Sequence, residues 1–134
     1  MTAMTLAVAR ELSGCDFYDY LDEQAEIPSV SAAGCQGDVS ILRVTTAPAS
    51  TPIPASGVVV ATGQGGHDHT ISGAGMFDRA KGPRESLIVG TLTVPVDATV
   101  LMTHQEHGAL LIAPGTYRIG GQREYAGEWQ RVAD

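Results

Sequence analysis

All four histidines of the chain lie between residues 67 and 107, as two close pairs. The first pair stands in Gly66-His67-Asp68-His69. Residues i and i+2 of a β-strand share a face, so His67 and His69 aim their imidazoles at one region. Asp68 then points to the opposite face. The second pair stands in His104-Gln105-Glu106-His107. A turn starting at Glu106 brings His104 and His107 together, although their spacing does not suit one flat strand. Imidazole nitrogens suit zinc, iron, nickel and copper, and three or four converging rings make a metal site. The expected ligands are His67, His69, His104 and His107, holding a divalent transition metal (Zn, Fe or Ni). Glu106 adds a carboxylate, as a ligand or as an acceptor that orients a ligating ring. A metal-dependent enzyme further requires an open coordination position and a substrate pocket.

Other chemistry has less support. Gly63-Gln-Gly-Gly66 is followed by no Gly-Lys-Ser/Thr, so no phosphate loop and no nucleotide cofactor is expected. No Gly-x-Ser-x-Gly elbow occurs. Cys15 and Cys35 are the two cysteines, and neither has an activating neighbour in sequence. The start of the chain does not read as a secretory signal. Its apolar run is only Leu6 to Ala9, and no base precedes it. Reduced cysteines in a cytoplasmic protein are therefore expected.

Helical and β elements must place the histidine pairs. Leu6, Ala9 and Leu12 follow helical spacing, and Gly14 is placed to end that helix. Asp16 is suited to cap a second short helix carrying Phe17, Tyr20 and Leu21. Ile27-Pro28 breaks it. Residues 29–37 are small and polar and read as a linker. From Asp38 the chain turns to β character. Residues 39–44 are rich in β formers, and residues 47–56 carry Pro48, Pro52 and Pro54. Strands are expected at 57–62, 67–72, 75–79, 86–94, 98–104, 109–113 and 116–119. This rhythm predicts a mainly β fold: a small antiparallel barrel or sandwich, jelly-roll-like in form, with a short N-terminal helical segment. Two regions follow: an acidic helical extension and linker over 1–36, and a β domain over 37–134.

Charge supports that division. The 134-residue chain carries a net charge of −7. Residues 1–35 hold six acids and Arg10 alone as a base, while the remainder holds nine acids and seven bases. Neither part has a cationic cluster, which argues against nucleic-acid binding. No apolar run nears the roughly 20 residues that cross a bilayer, so no membrane partner is expected. The hydrophobic fraction of 43% is too high for a disordered chain.

Gly66-His67-x-His69 resembles the first motif of the jelly-roll metalloproteins called cupins. The chain departs from them at Gly73 and Ala74, where cupins carry a Glu, and in placing Pro114-Gly115 after His107. Four blocks taken together resemble a family of small, mostly uncharacterised proteins encoded by bacteria and their phages. They are Gly37-Asp38-Val39, Gly66-His67-x-His69, His104-x-Glu106-His107 with Pro114-Gly115-x-Tyr117, and Gln122-Arg123-Glu124-Tyr125. The resemblance covers roughly residues 36–134. It implies that the four histidines act as one unit in a bacterial or phage protein, and supplies no reaction. A different class of function fits the same composition. A β domain with an acidic arm serves as a phage virion or decoration component, meeting protein partners or copies of itself without metal.

Overall fold

The computed structural model describes residues 4–62, 67–81 and 87–121, and the backbone of 123–125 and 129–131. Among the described residues one helix, α1 (Leu6–Ser13), precedes twelve strands. They are β1 (Ser29–Val30), β2 (Ala33–Gln36), β3 (Val39–Arg43), β4 (Val58–Thr62), β5 (Asp68–Gly73) and β6 (Met76–Arg79). Then come β7 (Ile88–Val94), β8 (Val100–His104), β9 (Gly108–Ile112), β10 (Gly115–Gly121), β11 (Arg123–Tyr125) and β12 (Trp129–Arg131).

Two five-stranded sheets form, in the orders β1-β9-β8-β5-β4 and β2-β3-β10-β7-β6, and β11 pairs with β12 alone. Every pairing is antiparallel except that of β1 with β9. The sheets do not close into a barrel. They make the sandwich form of the expected fold.

Alternation explains the packing. On β8, Val100 and Met102 enter the core between the sheets, where Ile71 of β5, Ile41 of β3, Leu92 of β7 and Ile119 of β10 meet them. Leu101 of β8 and Ala109 of β9 face the other way, and a second apolar cluster covers them with Leu6, Ala9, Phe17 and Ile27. Tyr117 is fully buried in the main core, and its hydroxyl donates to the Ala113 carbonyl.

The N-terminal segment differs from its sequence reading in two respects. The helix forms as expected, with Thr5 accepting from the Val8 N–H and Gly14 ending it at φ +73°. The second helix does not form, and residues 15–25 run through turns. Tyr18 gives its backbone N–H to the Gln105 carbonyl, which ties this segment to the β8–β9 turn. Phe17 is buried against the outer sheet face instead. The stretch 29–37 is also not a plain linker. It supplies β1 to one sheet and β2 to the other. Strands this short, built of small polar residues, carry almost no periodic signal.

Candidate metal centre

Each histidine arrives on an element whose geometry the sequence explains. His69 is on β5, two residues before Ile71, so it shares the core-facing side. His104 ends β8 on the side of Met102 and Val100. The β8–β9 connection is only Gln105-Glu106-His107, closed by Gly108 at φ +87° opposite His104. Three-residue hairpins with glycine in the left-handed position have this form. The tight turn folds His107 back over His104. His67 stands just ahead of β5.

The result is one cluster at an end of the sandwich. Ring centres of His69 and His104 are 4.4 Å apart, and those of His104 and His107 are 4.5 Å apart. His69 to His107 is 5.9 Å, and His67 to His104 is 5.8 Å. Imidazoles that share one tetrahedral ion through nitrogens roughly 2 Å from it put their ring centres about 5 Å apart. The observed spacings straddle that value. Burial grades outward: His69 and His104 are enclosed, His67 is half-buried, and His107 is exposed.

Three further residues complete the surroundings. Gln36, at the end of β2 and 4% exposed, donates its amide hydrogens to the carbonyls of Met102 and Gly108. Its Oε1 therefore faces His69 Nδ1 as an acceptor, at 3.0 Å. A neutral His69 then carries its proton on Nδ1 and its lone pair on Nε2. Ligating histidines usually donate their other N–H to a carboxylate, a backbone carbonyl or water; here a side-chain amide oxygen stands in that place. Asp38, 7% exposed, sets Oδ1 3.6 Å from that Nε2. Hydrogen bonds run to about 3.2 Å. Two donors on one tetrahedral ion stand about 3.4 Å apart. Tyr18 brings its hydroxyl to 2.6 Å from His67 Nε2.

His104 is held in another state. Its Nδ1 accepts the backbone N–H groups of both Glu106 and His107, at 3.1 and 3.2 Å. Glu106 thus serves through its backbone, while its side chain is exposed. Among the described residues, no group of three or more His, Cys, Asp or Glu side chains is set to hold a metal as it stands. His104 Nδ1 is engaged by the turn, and His67 Nε2 by Tyr18.

Gln36, Asp38 and Tyr18 were not legible as members of this site. Asp38 did stand in a distinctive Gly37-Asp38-Val39 block, which was the one available signal. Gln36 and Tyr18 reach the cluster through strand pairing and a turn, and leave no mark in local spacing. Asp68 faces away, as expected. With Asp16, Cys15, Thr70 and Thr103 it lines a cavity of about 340 Å³ on the outer sheet face. Both cysteines are free thiols. Gly63 to Gly66, Gln122, and the side chains of Arg123, Glu124, Tyr125 and Trp129 lie outside the described residues. No helix among the described residues is long and apolar enough to cross a membrane.

Fold and site together define a small two-sheet β protein with a histidine-rich polar cluster at one end of its sandwich. Residues 35–122, more than half of the chain, match the family described as Domain of unknown function (DUF8820), and the chain belongs to that family. The matched region holds Gln36, Asp38 and all four histidines, while Tyr18 lies before it. No curated protein and no solved structure matches the chain.

Proposed function

We propose that this protein binds a divalent transition metal at the His67, His69, His104, His107 cluster, with Asp38 as a carboxylate member of the site. The observation that carries the reading is the Gln36–His69–Asp38 line. Gln36 fixes the His69 tautomer so that Nε2 presents its lone pair, and Asp38 Oδ1 stands at a spacing suited to two ligands of one ion. A divalent ion between that nitrogen and the Asp38 carboxylate would bind both. Rotation of His67 and His107, the two less enclosed rings, closes the set around that ion. Imidazole with carboxylate suits zinc, iron or nickel.

The test is metal analysis of the purified full chain after refolding with Zn, Fe and Ni supplied. We expect about one tightly held ion per chain, absent from the His67→Ala/His69→Ala variant. Metal-free wild-type protein overturns the reading. The cluster is then a hydrogen-bonded plug, and the chain is better read as an interaction module of a bacterial cell or phage particle.

A further inference from the structure

Residues 4–27 close on themselves before the chain enters β1. The N–H groups of Leu6 and Ala7 donate to the carbonyls of Ala25 and Glu23 at 3.0 and 2.9 Å, and Ile27 returns its N–H to the Met4 carbonyl at 2.9 Å. Arg10 and Glu23 add an ion pair between the same two stretches. Leu6, Ala9, Phe17 and Ile27, with Met4 and Leu21 beside them, bring most of the second apolar cluster from within this segment. The segment is thus a flap with its own closure. It joins the sandwich at Pro28, whose carbonyl accepts the Leu111 N–H of β9. The family match begins at residue 35, past the flap.

Two cavities lie along the seam between flap and sheet. One, of about 340 Å³, separates Gly14 and Asp16 of the flap from Asp68 and Thr70 of β5. The other, of about 160 Å³, lies between Leu21 and Ile27 of the flap and His107 and Ala109 of the β8–β9 hairpin. Protein interiors are close-packed, so a seam that holds such spaces gives up fewer contacts when it opens. Polar contacts pin the tip of the flap. The Cys15 thiol bonds with Thr103, the Tyr18 N–H meets the Gln105 carbonyl at 2.9 Å, and the Tyr18 hydroxyl stands 2.6 Å from His67 Nε2. One residue, Tyr18, therefore ties the flap both to the hairpin and to the histidine cluster.

We infer that residues 4–27 form a hinged flap that swings about Pro28 as one body, and that Tyr18 is the latch through which it governs access to His67. Closed, the flap sets Tyr18 on His67 Nε2; open, it uncovers Cys15 and His67 together. Hinges of this kind are a few residues at the end of an element that absorb the backbone change. The inference concerns access to the cluster and stands apart from the metal reading.

The test uses the full chain as wild type, Tyr18→Phe and Phe17→Leu. Iodoacetamide labelling of Cys15 and diethyl pyrocarbonate labelling of His67 are followed by mass spectrometry, and amide exchange of Ala7 and Ile27 by NMR. Each variant is read at the residue its substitution does not touch. Tyr18→Phe should speed Cys15 labelling about 5-fold, the worth of one net hydrogen bond. Phe17→Leu, which loosens the apolar seat of the flap, should speed His67 labelling about 3- to 10-fold, the scale of a mild core substitution. The Ala7 and Ile27 amides, bonded inside the flap, should exchange at wild-type rates in both variants. Cys15 labelling unchanged in Tyr18→Phe refutes the latch, and His67 labelling unchanged in Phe17→Leu refutes the gate. Ala7 and Ile27 amides that speed up together with Cys15 show a segment that unfolds rather than swings, and overturn the inference as well.

Discussion

Replacement of Gln36 by leucine tests the link between strand pairing and site geometry. The substitution keeps the volume near β2 and removes three hydrogen bonds: to the Met102 carbonyl, to the Gly108 carbonyl and to His69 Nδ1. All three partners lie inside the sandwich end, where water does not replace Gln36 easily. A buried polar group stripped of its partner costs about 1–3 kcal/mol. Each carbonyl retains a second lone pair that strand pairing can use, so the His69 N–H dominates and the total is about 2–4 kcal/mol. For a 134-residue chain, an unfolding entropy of roughly 2.1 cal/mol/K per residue converts this to a Tm lowered by about 7–15 °C. The same change frees the His69 ring to turn, and loss of such an orienting partner weakens metal binding by about 10–100-fold. Calorimetry of the metal-free protein and a metal titration read the two effects separately. A Tm within about 2 °C of the parent, with unchanged metal affinity, refutes the role given to Gln36.

Three other outcomes follow from the same geometry. Tyr18→Phe removes the hydroxyl that engages His67 Nε2. Metal affinity should rise by about 2- to 10-fold, the worth of one net hydrogen bond, and a titration showing weaker binding would make Tyr18 a helper of the site. Asp78 is held below the usual carboxylate range by the Thr51 hydroxyl, with backbone N–H groups of Thr51 and Ser50 adding to it. Its contribution is therefore complete above the unfolded value of 3.8 and is lost as pH falls through the lower folded one. Urea denaturation at a series of acidic pH values should show wild type losing stability more steeply than Asp78→Asn; parallel profiles contradict this. Burial pushes the Cys15 thiol up, only partly offset by its hydrogen bond with Thr103, whereas Cys35 is exposed. Iodoacetamide at mildly alkaline pH should label Cys35 first by mass spectrometry, and faster labelling of Cys15 would be inconsistent with its burial.

The strands from β3 onward were legible because each alternates or clusters its apolar residues between turn residues. β5 and β8 carry that pattern directly through His69-x-Ile71 and Val100-x-Met102-x-His104. The register between them was not legible, since Thr70 opposite Thr103 is a matter of long-range pairing. The two histidine pairs could be seen as candidates for one cluster, but their protonation could not. That depends on backbone N–H groups of a three-residue turn and on an amide from a strand some thirty residues away. The turns after Asp16 read as helix for a similar reason: Phe17 is buried against Leu101 and Ala109, a long-range contact that local spacing does not show.

The parallel pairing of β1 with β9 imposes a timetable on the chain. Ser29 meets Leu111 and Val30 meets Ile112, so β1 has no partner until the distant β9 has been made. At ordinary synthesis rates of about 5–20 residues per second, that interval is of the order of ten seconds. During it, Leu6, Phe17 and Ile27 also lack Leu101 and Ala109, the surface that later shelters them. Six acids against one base in residues 1–35 favour hydration of this stretch while it is unpaired. When it docks, it covers the outer edge of β9, which would otherwise be open to pairing with another chain.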